Sequence, residues 1–199
     1  MELFERVKAV TELCAVSGRE HVAFDFLKER FGYMFNEIKT TPTGSFAGIR
    51  RCGKENAPLL VFDAHLDEIG FMVKQICKGG FLKVTNIGGI DTKVLSAAEV
   101  WIHGKERIAG VFASTPPHLR DGSEKKKIEL ADMVIDTGRS VEYLEENCPI
   151  GTVVSYKTTT EKLLNGHIVG KSFDDKICMC TILEAFDMLE GESLNVDIC

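Results

Sequence analysis

Leu59-Leu60-Val61-Phe62-Asp63-Ala64-His65-Leu66-Asp67-Glu68 is the stretch on which the fold turns, because an unbroken apolar run ends there in His65, Asp67 and Glu68. A strand with one face in water alternates apolar and polar residues, whereas a run such as Leu59 to Phe62 suits a strand covered on both faces in a parallel sheet. The stretch predicts an α/β fold. Open α/β sheets bind ligands at the carboxyl ends of their strands, where this strand delivers its ionisable groups.

Upstream, Leu3, Phe4, Val7, Val10 and Leu13 recur at spacings of three and four and predict an amphipathic helix over 3–16. Ser17-Gly18-Arg19-Glu20 has the pattern of a capping box, with the Ser17 hydroxyl on a backbone donor and Glu20 reaching back. It predicts a second helix that buries Val22, Phe26 and Leu27 and stops at Gly32. Residues 35–40 and 46–50 predict two short strands around the Pro42-Thr43-Gly44 turn.

Downstream the texture becomes all-β. Strand-like runs at 70–76, 82–87, 100–103, 108–113 and 153–157, separated by glycine turns, predict a small barrel or sandwich. Asp121 to Lys127 reads as a solvated charged loop, and Ser140 as the cap of a short helix ending near Asn147. Helical spacing returns with Ile177, Cys180, Leu183, Phe186 and Leu189, stopped by Gly191, and 194–198 begins another buried-strand pattern. A strand at 57–63 needs partners, and one β-domain inserted into an α/β domain accounts for both changes of texture. Residues 1–68 and 164–199 are then the α/β part, and 69–163 the insertion.

With 44% hydrophobic and 27% charged residues, the 199-residue chain has globular composition. A net charge of -6 argues against general affinity for nucleic acid or an anionic membrane surface. No apolar run approaches the roughly 20 residues of a spanning helix, and Glu2 and Glu5 stand where a secretory leader is basic, which reads as cytoplasmic. Seven scattered cysteines, several inside apolar patterns such as Ile177-Cys178-Met179-Cys180, read as reduced, buried thiols.

Two constellations carry chemistry. His65-x-Asp67 joins the commonest metal-ligating side chain to a carboxylate able to fix its tautomer, although such a pair is also the pattern of a structural ion pair. Gly170-Lys171-Ser172-Phe173-Asp174-Asp175-Lys176 sets two adjacent carboxylates at the mouth of a helix, where the helix dipole alone favours them. The fold links the two, since the second motif returns the chain to the α/β part and lets Asp174 face the end of the His65 strand. A carboxylate between two divalent ions, with an imidazole on one of them, is how a two-metal hydrolase begins. Asp175 and Lys176 read as a local pair or cap, His118 as a loop residue and His167 as a turn residue. His21 and His103 support no site, and Cys178-x-Cys180 interrupts a helical pattern without the look of a ligand pair.

In order and spacing, Ser17-Gly18-Arg19-Glu20, Ala64-His65-Leu66-Asp67-Glu68-Ile69-Gly70-Phe71, Asn86-Ile87-Gly88-Gly89, Pro116-Pro117-His118-Leu119 and the Gly170–Lys176 motif resemble the two-metal aminopeptidases of the glutamyl-aminopeptidase and tetrahedral-aminopeptidase family. Some members of that family carry cellulase labels. The resemblance covers essentially the whole chain. It implies a zinc-peptidase-like sheet with flanking helices, interrupted by an inserted small β-barrel that serves dimerisation and assembly. It also implies two divalent metal ions, zinc or cobalt, with His65 on one, Asp174 bridging both, and Asp67 the catalytic-site residue that orients His65. Apart from the resemblance, Glu68 reads equally as a residue supporting such ligands or as a structural one. Further implications are hydrolysis of N-terminal residues from short peptides by a metal-activated water, and homo-oligomers from dimer to dodecamer.

The chain departs from the family pattern in two places. Thr43-Gly44-Ser45 stands where the family has an Asp before Gly-Asn. The family's Glu-Glu pair, which holds the general base, and its later Asp and His ligands fall beyond Cys199, while Glu190 and Glu192 flank a helix end and precede the next strand. The expectation is that these residues alone bind metal poorly and hydrolyse nothing. Two other readings stay open at this point. One is a family member acting on a non-peptide bond, a deacylase or a glycosidase, the latter needing paired carboxylates without an obligatory metal. The other is a non-catalytic assembly module.

Overall fold

A computed structural model of the chain describes residues 1–114 and 129–199, so the Pro116-Pro117-His118-Leu119 motif, with His118, and the charged stretch 121–127 lie outside the described residues. The chain forms two compact units, one of Met1–Glu68 with Thr159–Cys199 and the other of Ile69–Thr158.

In the first unit, α1 (Leu3–Thr11) buries Val7 and Val10 as its spacing requires, but it ends before the expected residue 16 and leaves Leu3 exposed. Its buried stripe includes Arg6, whose guanidinium pairs with Glu184 at 2.9 Å and with Asp187. A charge removed from water persists only when paired. Tyr33 also donates to Asp187 at 3.0 Å. The second helix, α2 (Phe24–Phe31), is preceded by a short 3-10 turn and buries Leu27 and Phe31, while Val22 stays exposed, contrary to expectation. The capping box is also corrected: Glu20 accepts from Gly18 N at 2.8 Å, but the Ser17 hydroxyl turns away to Asp67.

The hairpin of β1 (Glu37–Thr40) and β2 (Phe46–Ile49) pairs Glu37 with Ile49 and Thr40 with Phe46. β3 (Leu59–Leu60) pairs in parallel with β12 (Asp197–Ile198), and Ile198 also bridges to Arg50 just after β2. Parallel pairing agrees with the apolar run, but the expected cover does not. Leu59, Leu60, Val61 and Phe62 are 47–58% exposed, because β12 is the one strand paired with β3 among the described residues. A 16-residue helix, α4 (Phe173–Met188), packs Cys180, Leu183 and Phe186 against Val7, Val10, Leu27 and Phe31. Each fully buried side chain of the Leu or Phe type contributes about 1.5–3 kcal/mol.

The second unit is a closed barrel of β4 (Gly70–Cys77), β5 (Phe81–Ile87), β6 (Glu99–His103), β7 (Arg107–Ser114), β8 (Met133–Asp136) and β9 (Val153–Tyr156), in the order β4-β5-β8-β7-β6-β9. Phe71, Leu82, Val100, Ile102, Phe112 and Ile135 fill its interior. A Cβ on Gly110 would lie 2.6 Å from Ile135 Cγ2 and 2.9 Å from Ile102 Cδ1, so the core side chains demand glycine there. Ser140 caps α3 (Val141–Asn147) by accepting from Tyr143 N at 3.2 Å, as expected, and Leu144 anchors that helix in the core. The hairpin of β10 (Glu161–Lys162) and β11 (Ile168–Val169) belongs to the first unit, and His167 lies in its turn.

All seven cysteines are free thiols, but Cys148 and Cys180 alone are buried and Cys178 is exposed, which corrects the reading of them as generally buried. No helix of the described residues is long and apolar enough to cross a membrane.

Candidate metal centre

The segment that follows β3 and the entry to α4 bring His65 and Asp174 together, 109 residues apart in the chain, with His65 Nε2 3.3 Å from Asp174 Oδ1. On the other side of the ring, His65 Nδ1 lies 3.1 Å from Asp67 Oδ1 and 3.2 Å from the Asp67 carbonyl oxygen. With its proton on Nδ1, the imidazole donates to Asp67 and turns the Nε2 lone pair toward the Asp174 carboxylate. A proton on Nε2 or a metal ion can then stand between the imidazole and the carboxylate.

The residues fit a metal ion in that role. Ligand atoms about 2.0–2.1 Å from a tetrahedral ion stand roughly 3.3 Å apart, and that is the observed separation. Both side chains are open to solvent, His65 at 53% and Asp174 at 97% exposure, as an exchangeable ion requires. Among the described residues no group of three or more His, Cys, Asp or Glu side chains converges on one point, so these residues supply a pair of donors and the carboxylate behind the ring. Burial opposes charge on His65, but the Asp174 and Asp67 carboxylates outweigh it and hold the imidazole above its ordinary value.

A family model described as M42 glutamyl aminopeptidase matches residues 44–199. The chain belongs to the M42 glutamyl aminopeptidase family. It is 30% identical to the glutamyl aminopeptidase of Lactococcus lactis subsp. cremoris, over 100% of this chain and 58% of the relative. The solved TET aminopeptidase of a marine sediment Thaumarchaeota archaeon superposes with a TM-score of 0.89 at 29% identity, covering 100% of this chain and 57% of the other. The Pyrococcus horikoshii TET1 peptidase, described as able to assemble into a tetrahedron or a large octahedral shell, superposes with a TM-score of 0.83 at 27% identity over 99% and 59%. This M42 chain therefore spans a little more than half the length of the relatives it matches.

Around the facing pair the M42 chain carries a polar network that sequence reading placed wrongly or left open. Lys176, read as a local cap, is fully buried and donates to Glu68 Oε2 at 2.9 Å and to the Leu13 carbonyl at 2.6 Å. Burial pushes its ammonium below the ordinary lysine value, with Glu68 opposing that effect and Lys171 adding to it. Lys171 donates to the same Glu68 oxygen and to Leu13 O at 3.1 Å, and Ser172 donates to Glu68 Oε2 as well. The signal for Lys176 was present: it sits four and seven residues before Cys180 and Leu183, on the buried stripe of α4. Nothing in the sequence spacing marks Ser17 as the partner of Asp67.

A cavity of about 430 Å³ lies between β2, residues 61–67 and α4, with Phe46, Phe62, Met179 and Ile182 in its apolar lining and His65 and Asp67 at its margin. Cys178 and Cys180 do not form a ligand pair, the first being exposed on α4 and the second buried.

Proposed function

We propose that the protein carrying this chain is a metal-dependent aminopeptidase that removes N-terminal residues from short peptides. The observation that carries the proposal is the 3.3 Å approach of His65 Nε2 to Asp174 Oδ1, with Asp67 on the opposite ring nitrogen. His65 and Asp174 would hold the divalent ions, and Asp67 would keep the imidazole in the tautomer that ligates. When bound, the ions supply a Lewis acid for the scissile carbonyl and an activated water. Imidazole and carboxylate donors suit zinc and cobalt alike. Membership of the M42 family and the names of the matched relatives support the peptidase reading over a glycosidase, a deacylase or an inert module. The assembly described for the TET1 peptidase supports a homo-oligomer.

The test is hydrolysis of a panel of aminoacyl-p-nitroanilides by the whole protein with zinc or cobalt, with and without chelator. Activity that chelation removes and either metal restores is expected. Inactivity on every substrate, or activity that survives chelation, would sink the proposal.

A further inference from the structure

Asp174 has little of its own to hold it in place. Its side chain is 97% exposed, and its backbone, at φ -85° and ψ 106°, is not helical although it lies in the first turn of α4. Neither packing around the carboxylate nor helical hydrogen bonding therefore fixes where Asp174 points. What the segment has is an anchor on each side. Lys171 and Ser172 precede Asp174 by three and two residues, Lys176 follows it by two, and all three donate to a single oxygen, Oε2 of Glu68. Glu68 directly follows Asp67 and stands three residues after His65, so it belongs to the same segment after β3 as the imidazole. The Glu68, Lys171 and Lys176 side chains are 3%, 9% and 0% exposed. Both ammonium groups also donate to the Leu13 carbonyl. That segment is itself registered on residues 15–17, through Glu68 N to Ala15 O at 2.9 Å and Ser17 N to Glu68 O at 3.1 Å.

We propose that Glu68, gripping Lys171, Ser172 and Lys176, is the positioning residue that sets the Asp174 segment against the His65 segment and so makes the two metal donors face each other. This rests on the metal-site reading of His65 and Asp174. A buried ion pair is weak evidence for stability as such, because desolvation offsets its attraction. A geometric role explains the placement better. One carboxylate on the His65 side meets three donors that straddle Asp174, so losing its charge frees both flanks of the segment at once.

The test is residue-resolved NMR on the isotope-labelled whole protein and its Glu68→Gln variant. The metal-free protein is expected to give a nuclear Overhauser contact between the His65 ring protons and the Asp174 β-protons. On titration with Co²⁺, both residues are expected to shift along one isotherm. In E68Q the contact should vanish, His65 should respond without Asp174, and Co²⁺ affinity should fall by roughly 10- to 100-fold, the range for residues that orient metal ligands. A variant that merely melts earlier, while keeping the contact and the joint titration, overturns the proposal. Should E68Q fail to fold, Lys171→Met leaves Glu68 its bonds to Lys176 and Ser172; a weakened contact and a several-fold loss of Co²⁺ affinity support the proposal, and unchanged values overturn it. If the unsubstituted whole protein shows the contact but ignores Co²⁺, while E68Q loses the contact, the positioning role stands and the metal reading fails.

Discussion

Ser17 donates its hydroxyl to Oδ2 of Asp67, 50 residues further along the chain, while the other oxygen of that carboxylate faces the His65 ring at 3.1 Å. Asp67 is thus held from behind by the residue that the sequence presents as a helix cap. Ser17→Ala should let Asp67 rotate and loosen the imidazole. We expect about tenfold weaker Co²⁺ binding by the protein, the lower end for such supporting residues, with a change in melting temperature of only a few degrees. Isothermal titration beside a thermal melt checks both, and unaltered affinity would count against an orienting role for Asp67.

His65→Ala and Asp174→Asn each remove a proposed metal donor from a solvent-open site, so the fold should persist while activity goes. Loss of several kcal/mol of transition-state stabilisation corresponds to a fall in kcat/KM of about a thousandfold or more. Steady-state assays of the whole protein, with circular dichroism as the folding control, decide this; activity within tenfold of the parent would rule out that residue as a ligand.

Acid should weaken the first unit through Arg51. Its guanidinium donates to Asp197 Oδ2 at 2.8 Å and to Glu37 Oε2 at 2.9 Å. The Arg51 bond, followed by the Cys52 amide, holds Asp197 below the ordinary carboxylate value, and Lys39 followed by Arg51 does the same for Glu37. Carboxyls lowered by folding bind fewer protons in the native than in the unfolded chain. They add stability above the ordinary range near pH 4, and that contribution disappears as pH falls through the lowered values. Melting curves from pH 6 down to 2.5 should show the decline, and Asp197→Asn should flatten it. Parallel curves for the two proteins would refute this account.

Thiol chemistry should separate the buried Cys180 from the exposed Cys178 on the same helix. Burial pushes its thiol up to about 11, so near neutral pH it carries almost no thiolate. Reaction with a disulfide reagent at pH 8 should leave Cys180 unmodified until denaturant is added, as peptide mapping would show. Rapid labelling of Cys180 in the native chain would contradict the packing of α4 against α1.

Phe71 is fully buried in the barrel, 4.9 Å from Phe112 and 5.5 Å from Tyr156 between ring centroids. Phe71→Ala should cost about 3–5 kcal/mol, measurable as a shifted midpoint in urea unfolding of the second unit. A cost below about 1 kcal/mol would mean that the rings do not form the core.

The parts of this molecule that were legible in the sequence are those governed by local periodicity. The glycine-punctuated runs from Gly70 onward became barrel strands within a residue or two of expectation, and Ser140 caps α3 as its type and position suggest. The exception is β8, Met133-Val134-Ile135-Asp136, which the sequence reading does not single out and which pairs Ile135 with Phe112 and Leu82 on its two neighbours. What stayed hidden depends on distant partners. Arg6 carries a charge at a helical position that spacing assigns to solvent or core alike, and only Glu184 and Asp187 make burial tolerable. Val22 and Leu3 are apolar yet exposed, because the stripe that packs is set by which neighbours arrive. At the site, the two motifs were visible as residue types, but the use of Ser17, Glu68, Lys171 and Lys176 follows from backbone geometry that brings residues 13–17, 68 and 171–176 to one place.

The first and last strands of the barrel, β4 and β9, are hydrogen-bonded neighbours, with Phe71 opposite Val154 and Met72 opposite Val153. Antiparallel partners lie about 5 Å apart, so the chain enters and leaves the ninety-residue module, Ile69–Thr158, through adjacent threads of the same wall. Such a module can be spliced into a host between two consecutive residues without prising the host apart, and can be cut out again with a linker of a few residues. The closed ring of strands thereby makes the module portable, free to change its outer surface without disturbing the spacing between the halves of the other unit.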